Sequence, residues 1–382
     1  MRRLVCILAV CVMLIGVFAL PAGAVELDVK AKSACLIDIE TGTVLYEMNS
    51  HQPLPPASVT KVMTMLLVME AIDEGRIAMT DSVTASESAA AKGGSQIYLK
   101  PGESMSVEEM LKSVAVSSAN DCACALAEHI AGSEGAFVDM MNQRAAALGM
   151  QDTHFVNCTG LDDDDSAKEH LTSAYDIALM SRQLLKYHPD ITKYTTIWMD
   201  TVRNGAFGLA NTNKMVRFYN GATGLKTGFT SGAGYCLSSS AQRDGMHLIA
   251  VVMGSETSQD RFAACKSMLD HGFANYALVT PEVQQDMTVP VKLGTADTVQ
   301  AVPAENAAQL VDKAQRNAVC VEIALDESVT APVSRGQRLG TMTVKSGEQV
   351  LSQTPLVAET AVPRLSLGDL FVMVLKQIIG AK

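Results

Sequence analysis

The sequence predicts an α/β chain in two parts: strands and helices around a helical middle over residues 25–280, then a small β-sandwich over 281–360. Three observations carry this. An apolar strand–turn–strand pattern opens the chain, and an Asp-Gly hairpin follows much later. Between them, from Ser106 to about Tyr194, apolar residues recur at helical spacing in Ala-rich segments. Past Pro281 the texture changes to short Val/Thr-rich runs punctuated by proline and glycine.

Taken in order, residues 1–24 read as an export signal: Arg2 and Arg3 precede an apolar run from Leu4 to Leu20, and Ala22-Gly23-Ala24 offers a cleavage site before Val25. The run is nearly long enough to span a bilayer, so an uncleaved anchor is the alternative. Ser33 to Ile39 and Thr43 to Met48 are strands joined by Glu40-Thr41-Gly42. Pro53, Pro55 and Pro56 stop regular structure, and Val59, Val62, Met63, Leu66 and Leu67 then follow helical spacing. Ser106-Val-Glu-Glu109 has the capping-box pattern that starts a helix. Tyr235 to Ser240 and His247 to Met253 flank Gln242-Arg-Asp-Gly245 as a hairpin, and a helix runs from about Ser258 to Tyr276. Met287 to Val291, Val319 to Leu325 and Gly340 to Val344 are strands of the second part. The tail, residues 361–382, places Leu367, Leu370, Phe371, Val374, Leu375, Ile378 and Ile379 on one helical face, with Asp369 and Lys376 opposite. Such a helix would lie in a membrane interface on the outer face of the plasma membrane, its charges in water; packing on its own β-domain or at a dimer interface is the alternative.

Composition bounds the partners. The formal charge of −11 becomes −13 once the two leader arginines are removed, which excludes nucleic-acid binding through phosphates. Of nine cysteines, Cys6 and Cys11 lie in the leader; the other seven, odd in number and dispersed, do not form a disulfide framework. Cys122 and Cys124 point to different faces of a helix and make a poor metal pair, so no metal or other cofactor is expected.

Three short motifs stand in one order: Ser58-Val59-Thr60-Lys61, Ser118-Ala119-Asn120 and Lys226-Thr227-Gly228. Each alone reads as a cap or a turn. Together they match the penicillin-recognising serine enzymes. A serine hydroxyl needs a base within reach, and residues three apart on a helix share a face, so Lys61 would lie beside Ser58. Lys61 can accept a proton only if burial or a second cation, Lys226, lowers its pKa. Ser118 would bridge the lysines and relay the proton to the leaving amine, and Asn120 would hold the substrate amide. Lys226 and Thr227 would bind a free carboxylate. Gly228 would let the acyl chain lie close, and the backbone N–H groups of Ser58 and Phe229 would form the oxyanion hole.

The chain resembles the D-alanyl-D-alanine carboxypeptidases of the low-molecular-mass penicillin-binding proteins over nearly its whole length. The likeness rests on Leu54-Pro-Pro-Ala-Ser-Val-Thr-Lys61, Gly94-Ser-Gln-Ile-Tyr-Leu99, Ser118-Ala-Asn-Asp121, Met141-Asn142, Leu148-Gly-Met150, Asn211-Thr-Asn213, Gly224-Leu-Lys-Thr-Gly-Phe-Thr230 and Ala233-Gly-Tyr-Cys-Leu237. It implies a penicillin-binding/serine β-lactamase-like core (an antiparallel sheet with helices plus a helical subdomain), a C-terminal β-domain and a membrane-associating tail. The activity it implies is removal of the terminal D-alanine from peptidoglycan pentapeptides through an acyl-enzyme on Ser58, with β-lactam antibiotics acylating the same residue. Thr230 would join Thr227 on the carboxylate. Cys158 stands where relatives often have proline, Phe229 where some have histidine, and Thr212 where some have arginine; the run Asp162–Asp165 is unusually acidic. His170 and Asp176 resemble a residue pair below the site, or a structural hydrogen bond closing the acidic loop. Two rivals use the same scaffold: a class A-like β-lactamase, whose deacylating glutamate has no counterpart in context here beyond Glu169, and a non-catalytic cell-wall binding protein. D,D-endopeptidase activity would use the same residues.

Overall fold

The computed structural model describes residues 27–163, 165–280, 286–305, 307–369 and 371. The expected export signal lies outside these residues, as does most of the expected tail helix.

The early strand pair forms as β1 (Ser33–Asp38) and β2 (Val44–Met48). Three later strands complete one antiparallel sheet: β3 (Ala222–Thr230), β4 (Gly234–Arg243) and β5 (Met246–Ser255), in the order β2-β1-β5-β4-β3. The β4–β5 turn places Asp244 and Gly245 at φ 50° and 80°, which is why Asp-Gly occurs there. Strand β5 alternates between two cores: Ile249, Val251 and Met253 join one, and Leu248, Ala250 and Val252 the other. Helix α6 (Ser258–Asn275) covers the second face through Ala264, Cys265, Met268 and Leu269.

The helical middle packs on the first face. It comprises α1 (Lys61–Asp73), α2 (Val107–Ser117), α3 (Asn120–Ala131), α4 (Glu134–Ala147) and α5 (Ala174–Tyr187). Ser106 caps α2 by accepting from Glu109 N–H at 3.1 Å, as its pattern predicts. Helix α1 is apolar all round and buries Val62 to Met69 without interruption, so it runs through the core and its N-terminus is fixed from every side.

The β-rich second part contains β6 (Thr288–Lys292), β7 (Thr298–Pro303), β8 (Val319–Leu325), β9 (Val329–Thr330), β10 (Arg338–Ser346) and β11 (Gln349–Ala358). They hydrogen-bond in a single order, β8-β10-β11-β7-β6-β9, around a core of Val289, Val299, Leu339, Met342 and Leu356. A two-stranded ribbon, Tyr276–Val279 with Gln309–Asp312, ties this part to the end of α6. Bridges Gly294–Arg364 and Val333–Val362 carry the same unit to the start of the tail.

Candidate active site

The three motifs, far apart in the chain, come together along β3, an edge strand with one side free of the sheet: Gly228 packs on the Ser58 turn, and Thr212 links Thr227 Oγ1 to the Val116 carbonyl two residues before Ser118. Ser58 sits in a short 3-10 turn, Ala57–Thr60, that runs directly into α1. Ala57 takes φ 49°, a conformation costly for a residue with a Cβ, and its surroundings impose it. His170 accepts from Val156 N–H at Nδ1 (3.0 Å), which leaves its proton on Nε2, 2.8 Å from Thr60 Oγ1. Thr60 Oγ1 in turn donates to Ala57 O at 2.8 Å. Burial lowers the His170 pKa to about 4, so the ring stays neutral and keeps this tautomer at neutral pH. His170 is thus a prop beneath the Ser58 turn. Asp176 serves elsewhere, accepting from Asp152 N–H and Thr153 Oγ1.

Lys61 is fully buried, with Nζ 2.9 Å from Ser58 Oγ and 2.8 Å from the Thr159 carbonyl. Burial lowers its pKa to about 7 from the usual 10.5. Lys226, also buried, is held well below its ordinary value by burial first, then by repulsion from Lys61 and Arg261. Desolvation is the one cause that depresses Lys61, and its neighbours Cys158 and Asp121 oppose it. The second cation that the sequence suggested is not required for it.

Ser118 closes α2 in the left-handed region, φ 63°, and its buried Oγ has no hydrogen-bond partner among the described residues. The expected bridge between the two lysines is not formed in this state. Asn120, the first residue of α3, donates from Nδ2 to Gly93 O at 2.7 Å, while its buried Oδ1 is also unpartnered. A buried hydroxyl and a buried amide oxygen without partners among the described residues can take up a ligand's hydrogen-bonding groups.

On β3, Lys226 Nζ donates to Thr227 O, and Thr227 Oγ1 donates to Thr212 Oγ1 at 2.6 Å. Gly228 has a packing reason: a Cβ there would lie 2.6 Å from Pro56 O and 3.1 Å from Ser58 N. The glycine lets the strand lie against the Ser58 turn. Phe229 is 53% exposed and stacks on Tyr235 at 4.3 Å. Thr230 Oγ1 accepts from Ala233 N–H and tightens the β3–β4 turn.

Two contributors, Thr159 and Arg261, were not legible as site residues, and Asp121, which ends the quoted Ser118–Asp121 stretch, carried no expected role. Asp121 accepts from the N–H groups of Ile97 and Leu99, fixing the segment that meets Asn120. Thr159 contributes a backbone carbonyl, which has no sequence signature. Arg261 on α6 donates to Gly228 O at 2.9 Å and to Cys236 O at 3.2 Å, bracing β3 and β4 from behind.

A buried amine of near-neutral pKa against a serine hydroxyl can generate an alkoxide nucleophile, and the free β3 edge can take an extended peptide as an added strand. Comparison with known proteins agrees. Residues 21–257 match the D-alanyl-D-alanine carboxypeptidase family, and residues 280–364 match the C-terminal domain of penicillin-binding protein 5. The D-alanyl-D-alanine carboxypeptidase DacF of Bacillus subtilis is 42% identical, across 100% of this chain and 98% of its own length. The structure of penicillin-binding protein 5 from Haemophilus influenzae superposes with a TM-score of 0.77 at 30% identity, covering 90% of this chain and 100% of that one. Penicillin-binding protein D2 of Listeria monocytogenes in its cefotaxime-bound form superposes at 0.60 with 32% identity, covering 65% of this chain and 99% of that one. The chain belongs to the D-alanyl-D-alanine carboxypeptidase family of serine peptidases.

Proposed function

We propose that Ser58 is the nucleophile and Lys61 its base in removing the terminal D-alanine from peptidoglycan stem peptides. The observation that carries the reading is Lys61: buried, 2.9 Å from Ser58 Oγ, with a pKa of about 7. Near neutral pH about half of such an amine is free to take the Ser58 proton as Oγ attacks the penultimate D-alanine carbonyl. The resulting oxyanion is received by the Ser58 and Phe229 N–H groups, and the C–N bond breaks as the departing D-alanine amine takes a proton through Ser118. Water then hydrolyses the ester on Ser58 by the same base. The terminal carboxylate pairs with Lys226, whose charged form burial disfavours, and with Thr227. Thr230 joins them by turning its hydroxyl from the Ala233 N–H. Asn120 Oδ1 accepts the substrate amide.

A β-lactam presents a carbonyl, activated by ring strain, and a carboxylate like those of the peptide, so penicillin acylates Ser58; the cefotaxime-bound Listeria relative supports this. The glutamate of the class A-like alternative, Glu169, is exposed and offers its backbone carbonyl to His154 rather than a carboxylate to Ser58. Export through the leader and action outside the cell membrane, on the wall that sets cell shape, complete the reading. The tail would hold the protein on the outer membrane face: Leu367 and Phe371 are 87% and 68% exposed, as a lipid-facing stripe would be in the absence of lipid. No described helix is long and apolar enough to cross a membrane.

The test is D-alanine release from a D-Ala-D-Ala pentapeptide together with labelling by fluorescent penicillin. Wild type performs both and Ser58→Ala neither; release that survives in Ser58→Ala refutes the assignment.

A further inference from the structure

Behind the loop that carries Thr159, three metal-ligating side chains converge that the peptidase chemistry leaves unused. Cys124 lies on α3 one turn after Asn120, Cys158 directly precedes Thr159, and Glu134 opens α4. Both sulfurs belong to fully buried residues. Cys158 Sγ is 3.2 Å from Glu134 Oε1 and Cys124 Sγ is 3.8 Å from Glu134 Oε2. The three donor atoms all lie within 4.8 Å of one another.

These spacings match a coordination polyhedron. With zinc–sulfur bonds of about 2.3 Å and zinc–oxygen bonds of about 2.1 Å, tetrahedral geometry separates neighbouring donors by roughly 3.6–3.8 Å. The two observed sulfur–oxygen distances, to different oxygens of the one carboxylate, lie within about 0.4 Å of that edge, so a small rotation of the carboxylate would bring both sulfurs and one oxygen to three corners. Glu128 Oε1, 3.8 Å from Cys124 Sγ on the next turn of α3, borders this cluster but is not one of its three mutually close donors, which leaves the fourth corner to water. Two thiolates with a carboxylate select a soft or borderline cation over magnesium or calcium.

We propose that Cys124, Cys158 and Glu134 form a three-ligand binding site for one thiophilic divalent cation of the zinc class, with water as the fourth ligand. Without the cation, Lys92 occupies the carboxylate, its Nζ 2.6 Å from Glu134 Oε2. The Lys92 side chain is 23% exposed, so its ammonium can withdraw into water as the metal enters from that side, and the two thiol protons leave to solvent. Occupation ties the loop holding Lys61 through Thr159 O to the helix that begins at Asn120. The site is therefore a clamp behind the catalytic groups and takes no part in bond breaking. Cys122, the neighbour that sequence spacing pairs with Cys124, is not among the three converging groups; the true partner comes from a loop the helix meets only in the fold.

The test uses the full mature chain, stripped with chelator and then given zinc or cobalt(II) chloride. One zinc per chain should survive gel filtration, and cobalt should give the near-ultraviolet charge-transfer absorption of thiolate ligation. Cys124→Ala and Cys158→Ala should each lose both signals, while Cys265→Ala, a buried thiol on α6, keeps them. Lys92→Met removes the competing ammonium and should bind zinc more tightly, a gain that cannot come from misfolding. Failure of the reduced wild-type chain to hold zinc, binding that persists without both sulfurs, or unchanged affinity in Lys92→Met overturns the proposal. None of these readouts depends on turnover.

Discussion

Replacing Gly228 with alanine adds one methyl where the structure has no room. Its carbon would sit 2.6 Å from Pro56 O, 3.1 Å from Ala57 Cβ and 3.1 Å from Ser58 N. A carbon–oxygen contact relaxes only near 3.2 Å, so β3 and the Ser58 turn must part by about 0.5 Å, since packed interiors close such overlaps by moving rather than compressing. That gap falls between the nucleophile and the strand that aligns the substrate. A 1 Å misplacement costs about a hundredfold in rate, so half of it costs roughly tenfold to thirtyfold in acylation, about 1.4–2 kcal/mol of barrier. Global stability should fall by only about 1–3 kcal/mol, the ordinary price of overpacking at one position. The assay is the second-order rate of penicillin acylation by stopped-flow fluorescence, with thermal melts confirming a folded variant. A folded Gly228→Ala enzyme that acylates at the wild-type rate would show that close approach of β3 to the turn is not what the glycine supplies.

Other outcomes follow from the same geometry. Acylation should rise about tenfold per pH unit up to about pH 7 and level off above it, because only unprotonated Lys61 accepts the proton; a flat profile from pH 5 to 8 contradicts the base assignment. Lys226→Ala should raise KM for carboxylate-bearing peptides far more than it lowers kcat, and an unchanged KM would remove Lys226 from the carboxylate site. His170 is neutral in the fold with a pKa of about 4 against an ordinary 6.5, so the folded state binds fewer protons than the unfolded one. Stability is then lost as pH falls from about 6.5 to 4, by on the order of 3 kcal/mol from this residue, and His170→Gln should flatten that slope in thermal melts. A chain ending at Val362 should stay in solution and still be acylated by penicillin, whereas the full mature chain pellets with lipid vesicles; a full chain that does not pellet refutes the membrane role.

Much of the site was legible because the chemistry demands particular side chains at short spacing. Ser58 and Lys61 three apart on a helix, and Lys226-Thr227-Gly228 before a hairpin, stand where the motifs implied. Strand β3 itself was harder to read, since Gly221 just before it and Gly224 and Gly228 within it look like turn residues; their reasons are tertiary, close approaches to Gln242, Thr195 and Pro56. The proton acceptor beside Lys61 is a main-chain carbonyl, which no residue type announces. Arg261 reads as a surface residue of an amphipathic helix until the fold turns it under β3, where it is only 7% exposed. Ser118 shows the opposite limit: its place was legible, but its hydroxyl is unpartnered rather than bridging two lysines.

The central claim is that the buried Lys61 activates Ser58 for acyl transfer, and its most direct test is the intermediate itself. Rapid acid quench of the enzyme turning over a D-Ala-D-Ala peptide or ester, followed by peptide mapping, should find one acyl group on the fragment bearing Ser58. The group should be absent in Ser58→Ala and reduced by orders of magnitude in Lys61→Ala. An acyl group on any other residue, or full accumulation without Lys61, would contradict it.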